Sequence, residues 1–112
     1  QTQARLTDSR LYGNQYSAAQ MMSDLTDAVF AADARGNVNT IRQNLQLEYV
    51  NQLAAMLRGP GAAAYDHFSK SAAVASLKKI QAQMAAPVGD AETRAHRQHV
   101  ALVVGQALDP KS

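Results

Sequence analysis

Residues 36–57 read G-N-V-N-T-I-R-Q-N-L-Q-L-E-Y-V-N-Q-L-A-A-M-L, with a helix stop and a helix start back to back at the front. Gly36 suits the left-handed position just past a helix end. Asn39 suits the cap before the next helix, because its side chain can accept from the first free backbone N–H groups. From Ile41 the apolar residues fall at 41, 45, 49, 53 and 56/57, a helical period and not a strand period. The stretch therefore reads as a long amphipathic helix over 39–58, hinged tightly to a helix before it.

Working upstream, Ser17 opens S-A-A-Q, a capping-box pattern in which Gln20 can reach back to the cap residue. Met21, Met22, Leu25, Ala28, Val29 and Ala32 share one face of a helix expected over 18–35. Phe30 lies off that face, which leaves two readings: a partly exposed flanking contact, or a contact with another domain. Residues 1–16 lack periodicity and read as an irregular lead-in. Its Leu6, Leu11, Tyr12 and Tyr16 are candidates to dock on the bundle or on a neighbour, and Tyr12 and Tyr16 join Phe30 as candidate interdomain contacts. The connection from Gly36 to Asn39 is short, so helices one and two should form an antiparallel hairpin. On helix two, Arg42 and Gln46 fall inside the apolar arc, one turn apart. A buried unpaired Arg is very costly, so Arg42 must snorkel or find an acid. Asp27 and Asp33 are the acids within reach across the hairpin, and a pair that fixes helix register is preferred to a binding role.

Downstream, Gly59-Pro60-Gly61 stops helix two. The stretch A-A-A-Y-D-H-F-S-K-S, residues 62–71, fits either a loop or an early start to helix three. Helix three is expected over 70–86, with Ala73, Val74, Leu77, Ile80 and Met84 on one face and Pro87 and Gly89 ending it. Asp90 is a cap candidate and Glu92 favours the positive end of the helix dipole. Helix four is expected over 91–108, with His96, Val100, Val103, Val104, Ala107 and Leu108 on one stripe, followed by a polar tail at 109–112. Four amphipathic helices with short or moderate links predict an all-α, up-and-down four-helix bundle with an irregular N-terminal lead-in.

A chain of 112 residues fits one domain and can bury a core without staples. Much of its hydrophobic content of 46% is alanine, and Trp is absent. Such a core of Leu, Val, Met and Ala favours close helix packing over a large ligand cavity, and Met21, Met22, Met56 and Met84 read as core filler in preference to a binding groove. Zero Cys excludes disulfides and thiolate metal sites. The net charge is +2, and its bases, among them Arg5, Arg10, Arg42, Arg58, Lys78, Lys79, Arg94 and Arg97, are scattered and not gathered into a stripe. That argues against a nucleic-acid partner. No apolar run approaches the ~20 residues that span a bilayer, so no membrane span is expected. The first residue is Gln and no signal peptide precedes it, so the expectation is a mature product or a piece of something longer.

Three histidines occur, at 67, 96 and 99. His96 and His99 are spaced i,i+3 on helix four and are the candidate metal pair, but the run is His-Arg-Gln-His, without the glutamate of a zinc-peptidase helix. By helical angle His96 faces the bundle and His99 sits nearer the rim, so a packed His96 and a solvated His99 are expected. No serine stands in a G-x-S-x-G elbow, no G-K-[ST] follows the glycines at 59 and 61, and the carboxylates are dispersed. No catalytic or cofactor-binding residue is assigned.

The run D-L-T-D-A-V-F-A-A-D-A-R-G-N-V-N-T-I-R-Q-N-L-Q-L-E-Y-V-N-Q-L, residues 24–53, resembles the C-terminal helical region of large secreted bacterial zinc-dependent metallopeptidases. These belong to the zincin-like, Met-zincin group with a large uncharacterised extracellular-peptidase domain. The later A-S-L-K-K-I and G-D-A-E-T-R-A-H-R-Q-H are similar to the family's closing segment, less specifically, so the likeness runs from about Leu11 to Leu108. The family's His-Glu-x-x-His helix is absent, so no catalytic or zinc-ligand residue carries over. The resemblance implies a helical, non-catalytic part of a longer hydrolase, with zinc in the parent and not in this chain. It implies packing on the catalytic part of the same polypeptide and a periplasmic or extracellular location. Cut free, such a domain is expected to expose an apolar patch and to form a homodimer through it. The rival readings are an independent helical protein-interaction module and a small metal-binding protein using His96 and His99.

Overall fold

Three of the helices begin on a side-chain oxygen that accepts one of the backbone N–H groups a helix start leaves free. Asn39 Oδ1 accepts from Arg42 N at 2.8 Å, Asp66 Oδ1 from Ser69 N at 2.7 Å, and Asp90 Oδ2 from Thr93 N at 2.8 Å. The computed structural model describes residues 18–32 and 36–109. Its helices are α1 (18–29), α2 (Thr40–Arg58), α3 (His67–Met84) and α4 (Ala91–Leu108), with a short 3₁₀ turn at Ala62–Ala64 between α2 and α3. Together they form an all-α four-helix bundle.

Side-chain contacts fix the directions. Tyr49 meets Thr26 while Arg42 meets Ala28, so α1 and α2 are antiparallel. Gln46 meets His96 while Arg58 meets Ala107, so α2 and α4 run the same way. With α3 returning between them through short links, the chain goes up and down in order. Each helix supplies one apolar row to the interior: Val29 with Phe30, then Tyr49, Val50 and Leu53, then Ala73, Leu77 and Ile80, and finally Val100, Val104 and Ala107. Spacings of three and four keep each row on one face.

Two glycines do work that a larger residue would not. Gly36 has φ +84°, and a Cβ there would stand 3.4 Å from the Arg97 guanidinium. Gly59 follows α2 so closely that a Cβ would lie 2.8 Å from the Ala55 carbonyl oxygen, while its own N–H donates to that oxygen at 2.9 Å.

Several expectations change. The first helix ends at residue 29 and not 35, its last regular bond running from Phe30 N to Thr26 O at 3.0 Å. Alanine-rich sequence carries no stop signal there, and Gly36 lies well past that end. Helix three starts at His67 and ends at Met84 in place of 70–86. The signal is Asp66, which the run of three alanines before it obscures. Gln20 donates to Asp24 Oδ1 at 2.8 Å, a turn onward. Ser17, Asp33, Tyr12, Tyr16, the rest of the lead-in and residues 110–112 lie outside the described residues.

Candidate interaction surface

The pairing of α1 with α2 decides what faces outward. Tyr49 and Thr26 hydroxyls stand 2.7 Å apart in the interior, and Thr26 Oγ1 donates to Met22 O at 2.8 Å. Thr26 Oγ1 stands nearer Met22 O than the Tyr49 hydroxyl does, 2.8 Å against 3.4 Å, which favours the order Tyr49 to Thr26 to Met22. Gln46 Nε2 donates to Val29 O at 3.1 Å, one turn earlier on α2. These bonds hold the two helices face to face but leave their outer apolar rows uncovered. Met21 is 69% exposed, Leu25 53%, Ile41 81% and Leu45 49%.

Between the helices runs an open groove of about 640 Å³, its walls including Met21, Met22, Leu25, Tyr49, Leu53 and Met56, with Asp24 and Gln52 also on its lining. Its floor is apolar, and three of the chain's four methionines contribute to it. The fourth, Met84, packs against the core from α3. Met21, with Leu25, Ile41 and Leu45, therefore departs from the interior role that periodicity suggests. An apolar row at helical spacing marks a face that avoids water, without saying which neighbour covers it.

Phe30 is corrected outright as an interdomain contact. It is 3% exposed and its ring lies 6.4 Å from that of Tyr49, tilted by 59°. The expected face of α1 is one row off: its inward row is Met22, Thr26, Val29 and Phe30, spaced by threes and fours, while Met21, Leu25 and Ala28 are exposed. Among the described residues Arg42 pairs with no acid, and Asp33 lies outside them. The Arg42 guanidinium donates from Nη1 to Ala28 O at 2.9 Å and Val29 O at 3.4 Å, capping carbonyls that the end of α1 leaves open. Asp27 pairs instead with Lys79 at 2.7 Å, and the same ammonium donates to Ser23 Oγ at 2.9 Å.

The two histidines of α4 part company. His96 is 8% exposed, and its Nε2 lies 2.7 Å from Gln46 Oε1. Because Gln46 gives its amide N–H to Val29, its oxygen faces the ring, and His96 Nε2 must be the donor. Burial, with His99 and the Arg97 charge adding to it, pushes the His96 imidazole below its ordinary pKa. His99 is exposed, and so is His67, whose ring stands edge-on to Phe68. Among the described residues no three His, Asp or Glu side chains gather where they could hold a metal ion. Hydrogen bonds from the Ser69 backbone and hydroxyl hold Asp66 below the usual carboxylate range, and those from Thr93 do the same for Asp90. These carboxylates serve as helix caps. No described helix is long and apolar enough to cross a membrane.

The arrangement offers packing and docking chemistry: an apolar groove with an acidic edge, on a bundle with its own closed core. Sequence reasoning missed the groove, whose one available signal was the surplus of apolar residues on α1 and α2 over what a single neighbour can cover. Compared with known proteins, the chain matches no family model, and no curated protein or solved structure matches it.

Proposed function

We propose that this chain is a non-catalytic helical C-terminal domain of a larger zinc-dependent metallopeptidase, packing on or supporting the catalytic part of the same polypeptide. The observation that carries the reading is the exposure of large apolar side chains on both helices of the pair, Met21 and Leu25 on α1 and Ile41 and Leu45 on α2. Residues 24–53, which carry the resemblance to such peptidases, include most of the helix pair that presents them. Large apolar side chains at 49–81% exposure are what a surface built to be covered presents. Zinc would belong to the parent's catalytic part, and no residue of this chain is assigned to it. An exported location, periplasmic or extracellular, belongs to the same reading.

The test is the size of the native polypeptide, probed in the exported fraction of the source cells with an antibody to this chain. A band several times larger than 12.0 kDa supports the reading. A band at 12.0 kDa would remove it. The second reading, an independent helical protein-interaction module, would then lead. It is favoured by the closed core drawn from all four helices, which lets the bundle present a groove by itself.

A further inference from the structure

We infer that the α1–α2 groove accepts a single amphipathic helix whose apolar face is flanked by basic residues. This rests on the reading of that helix pair as a docking surface and names the chemistry of what docks there. The groove has the form that seats a helix: a trough between two antiparallel helices, with an apolar floor of Met22, Tyr49 and Leu53. Methionines on its walls let the trough adjust to the knobs of an incoming helix, since the thioether chain is unbranched and polarisable.

Charge selects among apolar helices. Asp24 lines the groove and accepts from the neutral Gln20. Glu48 is exposed one turn before Gln52, which lines the opposite wall. The described part of α1 carries two charged residues, Asp24 and Asp27, both acidic. The bases of α2 are directed elsewhere: Arg42 to the end of α1, and Arg58 Nε to Ala107 O at 2.9 Å. Asp27 is matched by Lys79. Asp24 thus lines the groove and Glu48 stands one turn from its far wall, neither in an ion pair among the described residues, and Lys or Arg beside an apolar face would supply the counter-charge.

The probe is a synthetic helical peptide of about five turns, with leucines on one face and lysines flanking it. A companion peptide carries glutamates in place of the lysines. Each is titrated into the full 112-residue chain labelled at the methionine methyls and followed by NMR. The lysine peptide should shift Met21, Met22 and Met56 and leave Met84 unmoved, and it should bind more tightly than the glutamate peptide. Asp24→Lys should weaken the lysine peptide about two- to fivefold, the size of an exposed charge pair, and strengthen its companion. Leu25→Asp, at an exposed position, should abolish binding of the lysine peptide without unfolding the chain.

Equal binding of both peptides would overturn the charge assignment and with it the proposal. Unmoved methyls at saturating peptide would overturn it too, whether the groove is closed to helices or already filled by residues 1–17. Shifts that arise on concentrating the chain alone would name a second copy as the occupant and also overturn it. None of these outcomes bears on the size of the native polypeptide, so the two readings fail separately.

Discussion

Gln46 on α2 and His96 on α4 are joined by a buried 2.7 Å hydrogen bond whose direction is set by a third group, the Val29 carbonyl at the end of α1. One amide therefore links three helices. Replacing it by Gln46→Leu should cost about 1–3 kcal/mol, because it strands the buried His96 donor. Urea unfolding measures this, and adding His96→Leu should recover part of the loss. Strict additivity of the two changes would show that the residues act independently.

The same pair sets a pH dependence. His96 is held below its ordinary pKa in the folded chain, so below about pH 6.5 the unfolded chain binds the proton more readily. The stability this residue contributes is complete above that pH and is lost as pH falls through the folded-state value. Unfolding midpoints should drop between about pH 7 and pH 5, and His96→Gln should flatten that slope relative to the parent sequence. Equal slopes would assign the dependence to other groups.

Phe30→Ala should destabilise the chain by itself, by about 3–5 kcal/mol, since it empties a core position against Tyr49. Ile41→Glu, at the most exposed of the large apolar positions, should move stability by no more than about 0.5 kcal/mol. Thermal melts of both variants decide the matter. A mild Phe30→Ala with a severe Ile41→Glu would reverse the assignment of core and surface.

Tyr49→Phe removes the donor of the Tyr49–Thr26–Met22 chain while keeping the ring, and should cost about 1 kcal/mol. Thr26→Val leaves the Tyr49 hydroxyl with the more distant Met22 O at 3.4 Å, and should cost at least as much. Chemical denaturation of the two variants tests the order.

The helices were readable because their apolar rows and caps are local features. Asn39, Asp66 and Asp90 each act within three residues of themselves. What could not be read was set by partners far along the chain. Phe30 was misplaced because the buried row of α1 runs through Thr26, a polar residue that an apolar pattern passes over. Asp27 was offered to Arg42 because charge is visible in a sequence and an open helix end is not. Gln46 was legible as a polar residue inside an apolar arc, and His96 as facing the bundle. That the two meet across 50 residues was not. The groove was invisible for a further reason: apolar rows on α1 and α2 look the same whether covered or bare.

Arg97 on α4 donates to Ala86 O at 2.6 Å and to Gly36 O at 3.1 Å, one carbonyl just past α3 and the other in the α1–α2 connection. A single guanidinium thereby latches both connections at one end of the bundle, while the α2–α3 connection lies at the other. The two latched loops should open together in native-state hydrogen exchange, sharing one opening free energy despite their distance in sequence. A protease that cuts either loop through such openings would find both susceptible at once. Losing Arg97 would uncouple them, so this end of the bundle answers to one side chain as a unit.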